Sequence, residues 1–204
     1  MLDREPLLHP VAIDGLRPTQ MTVGYREVAR KRHEWRDRAA KDGPDYLGRH
    51  MIPAVIGPKG RYWIIDNHHL CRALHDEGVE QILVRVVANL SSLGGRQFRT
   101  FMDNRNWLHP FDHKGRRQLV SRIPKRIDRL HDDPYRSLAG ELRRAGGCAK
   151  DDTPYSEFLW ADYLRRKIDL DLVCEAFDDA VERALKLSHG GDASYLPGWA
   201  GAHE

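Results

Sequence analysis

The sequence predicts an α+β protein, with a small mixed sheet and its helices in the first half and helices alone in the second. Three observations lead there. Helical and strand-like patterns alternate from Val23 to Asn89, within a stretch of about 90 residues, an ordinary domain size. The strand-like runs are short and bounded by Gly, Pro and Asn. From Asp112 onward, helices and turns follow one another with no convincing strand. The expected division is an α/β domain over residues 1–92 and a helical region packed on it over 93–204.

Each element has a local reason. Residues 1–22 read as a loop and a short strand, punctuated by Pro6, Pro10, Gly15 and Pro18. Val23 to Arg38 reads as a helix: Val23, Val28 and Trp35 share a face, Arg26, Lys31, Arg32 and Arg36 stay in water, and Thr22 is the expected cap. A turn region around Gly43-Pro44 spans Lys41 to Gly48. Ile52 to Ile56 and Arg61 to Ile65 are strands of a hairpin closed by Gly57-Pro58-Lys59-Gly60. His68 to Glu77 is a helix stopped by Gly78, and Gln81 to Asn89 a valine-rich strand.

In the second half, Gly94-Gly95 opens a helix through Trp107, and further helices are expected over Ile123 to Leu130 and Pro134 to Arg144. Thr153 is the expected N-cap of the next helix, with Pro154 at its first position and Lys167 near its end. Phe158, Leu159 and Trp160 read as core. A long last helix is expected from Asp171 to Leu187, followed by a Gly-rich tail through Trp199 that either folds over a pocket or docks the C-terminus.

Composition narrows the function classes. Hydrophobic residues make up 41% and charged residues 31%, a globular profile with no apolar run long enough to span a bilayer. The N-terminal residues lack the pattern of a secretory leader. Cys71, Cys148 and Cys174 are widely separated, which argues against a disulfide framework and for a reducing cytoplasm. The net charge of +3 fits a small anionic ligand better than a long polyanion. The stripe Arg122, Lys125, Arg126 and Arg129, at helical spacing, is the best candidate for nucleic-acid contact, which the net charge does not favour.

The chemistry-bearing stretch is Tyr62 to Leu74. An apolar run ends abruptly in Asp66-Asn67-His68-His69, and a helical pattern begins at once. A helix start presents backbone N–H groups and the positive end of the dipole, so it attracts phosphate. Adjacent histidines with no Cys or third His at ligand spacing argue against a zinc site.

The ordered set Leu16-Arg17-Pro18-Thr19-Gln20, Val23-Gly24-x-x-Glu27-Val28-x-x-Lys31, the hairpin, and Asp66-Asn67-His68-His69 with Arg72 resembles the ParB/sulfiredoxin superfamily. The whole chain resembles its ParB-like nuclease group, and Pro154 to Arg165 is similar to a later block of that group. The usual form of the last motif is Asp-Gly-His-His-Arg. Asn67 stands at the usual Gly, and Asn is the residue that best tolerates a left-handed backbone. Arg72 lies two residues beyond the usual Arg.

The resemblance implies nucleotide binding at this junction, with ATP, ADP or CTP as ligand and Mg²⁺ as companion. Asn67, His68, His69, Arg72, Gln20 and Lys31 are the expected nucleotide- and phosphate-binding residues. Asp66, His68, His69 and Glu27 are the expected catalytic ones. Asp66 can orient a histidine, act as a base or hold Mg²⁺ through water, and Arg72 can grip phosphate with its fork. The resemblance sets Glu27 beside the pocket, where amino-acid kinases of the superfamily carry a glutamate base.

The leading expectation is phosphoryl transfer to a small-molecule acceptor. The alternatives are a nuclease and a nucleotide-binding regulatory module without turnover. The plain structural readings also stand: a helix cap for Asp66, half-buried polar packing for the histidines, and a solvated or paired helix carboxylate for Glu27.

Overall fold

The computed structural model describes residues 8–42 and 51–201; the turn expected around Gly43-Pro44 lies outside them. Contacts divide the described residues into two units. The first takes in residues 8–22, 28–42, 51–112 and 116–131. The second takes in Val23–Glu27, His113–Gly115 and residues 132–201. Residue 92, where the sequence suggested a boundary, falls inside the first unit. The reason is apolar packing: Phe98, Met102, Leu108 and Ile123 share one buried cluster with Met21 and Val55.

The strands are β1 (Leu8–Ala12), β2 (Thr22–Val23), β3 (Ile52–Ile56), β4 (Tyr62–Ile64), β5 (Gln81–Asn89) and β6 (His131–Asp132). The α-helices are α1 (Tyr25–Asp42), α2 (His68–Asp76), α3 (Gly95–Asn104), α4 (Pro134–Arg144), α5 (Ser156–Arg165), α6 (Leu170–Glu175) and α7 (Phe177–Ser188). The protein is thus mixed α+β, with helices dominating its C-terminal half.

In the first unit a four-stranded sheet has the order β1-β5-β3-β4. β5 runs antiparallel to β1, with Leu8 opposite Arg85, and parallel to β3, with Ile52 opposite Val84. β3 and β4 form the expected hairpin, Ala54 opposite Ile64. Its connection needs left-handed backbone at Lys59 and Gly60, φ 62° and 68°, which is why glycine suits the second position. The described part of the sheet's β4 edge is covered by the segment after Leu16. Arg17 N–H donates to Tyr62 O, and Ile64 N–H donates to Arg17 O, each at 2.9 Å.

In the second unit α4, α5 and α7 bury Leu138, Leu142, Trp160, Leu164, Ala180 and Ala184. The tail docks here. Trp160 Nε1 donates to Pro197 O at 2.8 Å, and Ala149 N–H to Gly198 O at 2.7 Å.

Five local expectations need correction. Thr22 lies in a strand and is no cap; the first turn of α1 is held instead by the Asp132 carboxylate, which accepts the Tyr25 N–H at 2.7 Å. Ile123 to Leu130 is not helical but carries a 3-10 turn at Ile127–Arg129, since Pro124 supplies no N–H and disfavours helix in the residue before it. The arginine stripe read there therefore has no helical face. The helix expected to begin at Thr153 starts at Ser156, after Tyr155 adopts φ 62°. The long last helix is two, broken at Ala176 with φ −134° and ψ 65°. A two-residue strand, β6, lies where no strand was expected.

Candidate functional site

The site grows from the end of β4. Ile64 is fully buried and Ile65 N–H still donates to Pro53 O at 3.0 Å, so the strand is anchored to its last residue. The chain then reverses at two exposed residues, Asp66 and Asn67. Asn67 adopts φ 60° and ψ 31°, and Asp66 Oδ1 accepts its N–H at 2.7 Å. The left-handed turn that glycine would make is therefore made by asparagine. Asn67 O accepts the Cys71 N–H at 2.9 Å and so begins α2, while its side chain caps nothing. The first N–H groups of such a helix start have no intrahelical acceptor, and the positive end of the dipole lies behind them.

The two neighbouring histidines have different surroundings. His68 is buried, and its Nε2 accepts the backbone N–H of Thr19 at 3.1 Å. A nitrogen that accepts carries no hydrogen, so His68 bears its proton on Nδ1. Thr19 is itself buried; its hydroxyl donates to Ile64 O at 2.8 Å, and its carbonyl accepts the His109 N–H at 2.8 Å. The motif around Pro18 and the motif at 66–69 are thus hydrogen-bonded to each other although they lie 49 residues apart. His69 is half-buried beside the exposed Asp66.

The other expected residues are engaged in various ways. Gln20 is buried and its Nε2 donates to Thr22 O at 2.8 Å. Arg72 is largely buried; its Nε donates to Asp76 at 2.9 Å and its Nη1 to the carbonyls of Asp128 and Leu130 at 3.1 and 3.2 Å. Those bonds tie α2 to the turn over Ile127–Arg129. Lys31 lies 3.4 Å from Glu34. Glu27 belongs to the second unit, where its Oε2 accepts from Arg144 at 2.6 Å.

Thr19 and His109 are the residues that the sequence reading missed. Thr19 sat inside a quoted motif, which was its signal; nothing local singled out His109. Burial pushes the Cys71 thiol far up, so this cysteine next to the site is an inert packing group. Among the described residues, no three His, Cys, Asp or Glu side chains gather to hold a metal ion.

A sequence model of the family described as "Putative ParB-like nuclease" matches residues 9–166. The chain belongs to this ParB-like family. It is similar over 98% of its length to the whole of protein Atu1540 from Agrobacterium tumefaciens, with 52% identity and a TM-score of 0.91. No curated protein matches it. For this ParB-like chain the Asn67 conformation explains how the family turn survives without glycine. Arg72 lies on the helix face that meets the Ile127–Arg129 turn.

Proposed function

We propose that this ParB-like protein binds the phosphate groups of a nucleotide at the turn formed by residues 66–70 and transfers a phosphoryl group from ATP or ADP to a hydroxyl group of a small molecule. The observation that supports this reading is the left-handed, side-chain-uncapped start of α2 at Asn67, flanked by an exposed carboxylate and a half-buried imidazole. The first-turn N–H groups would donate to phosphate oxygens, and His69 would donate to one of them. Asp66 would take the acceptor's proton as its oxygen attacks phosphorus and the bond to the leaving nucleotide breaks. His68 and Thr19 hold the turn in shape.

The donor set suits Mg²⁺ in one form. A single exposed carboxylate fits an ion carried mainly by nucleotide phosphates and water, which is Mg²⁺ behaviour, and does not fit a resident metal held by protein alone. The ion would supply charge neutralisation on the phosphates.

A second reading, hydrolysis of a phosphodiester by the same groups with water as the attacking oxygen, is favoured by the family's description. The test is titration of the protein with ATP, ADP and CTP plus Mg²⁺, followed by transfer of labelled phosphate to pooled hydroxyl compounds and by plasmid degradation. Labelled acceptor that disappears in His69→Ala and Asp66→Ala supports the transferase, and nicked nucleic acid supports hydrolysis. Binding without turnover reduces the protein to a nucleotide-sensing module. No binding at millimolar nucleotide overturns the site.

A further inference from the structure

Charge is distributed unevenly along the chain. Within the first unit, residues 93–112 and 116–130 contain nine arginines and lysines against three aspartates, an excess of six in a chain whose total is +3. The remaining residues therefore carry a net −3. All nine cations are exposed. Arg96, Arg99, Arg116 and Arg122 make no ion pair among the described residues, whereas Arg126 and Arg129 are drawn to Asp128. The cationic face thus centres on α3 and the turns after it.

Aromatic rings are interleaved with these arginines. Phe101 is 40% exposed and its ring lies 6.1 Å from that of Trp107. Arg105 sits 5.1 Å from the Trp107 ring centre, and Arg117 5.7 Å from that of Phe111. Arg117 also reaches Asp103 at 3.2 Å, which joins the end of α3 to the Phe111 turn. Phe111 stacks on His109 at 4.4 Å between ring centres. His109 in turn donates its N–H to Thr19, the partner of His68. The Phe111 turn is thereby linked through His109 and Thr19 to His68.

We infer that this face docks single-stranded nucleic acid, with phosphates on the arginines and a base stacked on the exposed Phe101 ring. A duplex keeps its bases stacked and out of reach of Phe101, whereas a single strand can place one there. An acidic protein partner would use the charge and leave the rings unused. The inference is independent of the phosphate chemistry at Asp66 and His69, because docking needs neither.

The test is fluorescence anisotropy with a labelled sixteen-nucleotide oligo-dT, its duplex, and anionic lipid vesicles as competitor. The single strand should bind at least tenfold tighter than the duplex. Its affinity should fall with salt, with a log–log slope of about −3 for four or five phosphate contacts. Arg99→Glu combined with Arg122→Glu should weaken binding at least tenfold and flatten the slope. Phe101→Ala, with folding checked by its thermal melt, should weaken it severalfold at unchanged slope. Equal binding of duplex, displacement by vesicles, or no binding at 50 μM protein in low salt overturns the inference. Nucleotide binding measured on the same samples separates that failure from failure of the site at residues 66–70.

Discussion

Replacing His68 by leucine tests the division of labour between the adjacent histidines. Leucine fills a similar volume but offers no acceptor. Thr19 is only 2% exposed, so its N–H, 3.1 Å from His68 Nε2, would be left in a dry environment. A buried donor deprived of its partner loses about 1–3 kcal/mol. With packing largely kept, a loss of about 2 kcal/mol is expected, and on a chain of this size that lowers the melting temperature by about 4–8 °C. His68→Gln, whose amide reaches roughly where Nε2 lies, should recover about half. His69→Ala, at a half-buried position, should stay within about 0.5 kcal/mol of the parent protein. Urea unfolding monitored by tryptophan fluorescence reads all three. If His68→Leu proves as stable as the parent, or if His69→Ala is the more damaging change, the assignment of His68 as the pin of the Thr19 segment is wrong.

Three further outcomes are expected. Glu77 bridges Arg36 and Arg32, each Nε at 2.6 Å, and the hydrogen bond to Arg36 above all, aided by Arg32 and opposed by burial, holds its carboxyl below the ordinary value of 4.5. Its stabilisation is therefore present above 4.5 and lost as pH falls through the depressed folded-state value. Glu77→Gln should cost about 1 kcal/mol at pH 7 and flatten the acid limb of the urea midpoint against pH. Gly198 has φ +73°, and a Cβ there would stand 2.2 Å from Ala149 O. Gly198→Ala should destabilise by about 2 kcal/mol or more in thermal melts, since neither the backbone angle nor the carbonyl can yield cheaply. Cys174 is exposed, Cys71 is buried, and burial raises the Cys148 thiol to about 11. Maleimide at neutral pH, read by mass spectrometry, should therefore label Cys174 first and the other two only in urea.

Features decided by a few neighbouring residues were legible in advance. The β3–β4 hairpin follows from two apolar runs around Gly57-Pro58-Lys59-Gly60. The stop of α2 follows from Gly78, which adopts φ 74°. The polar quartet after Ile65 marked the helix start, and Asn67 took the left-handed conformation that its residue type tolerates. Elsewhere the local signal misled. Thr22 looked like a cap, but the cap is Asp132. Pro154 looked like a first helical residue, but the helix waits until Ser156. Arg122 to Arg129 matched a helical period that Pro124 forbids.

Residue types and their immediate order were enough for the fold class, the strand–turn–helix junction and the family resemblance, because backbone preference and hydrophobic period act over a few residues. Folding alone could join Thr19 to His68 across 49 positions, hand Glu27 to Arg144 across 117, and gather the arginines near α3 beside the exposed Phe101 ring. Hydrogen bonds and ion pairs choose partners by distance in space, and burial sets which of several chemically suitable partners is left once water is removed.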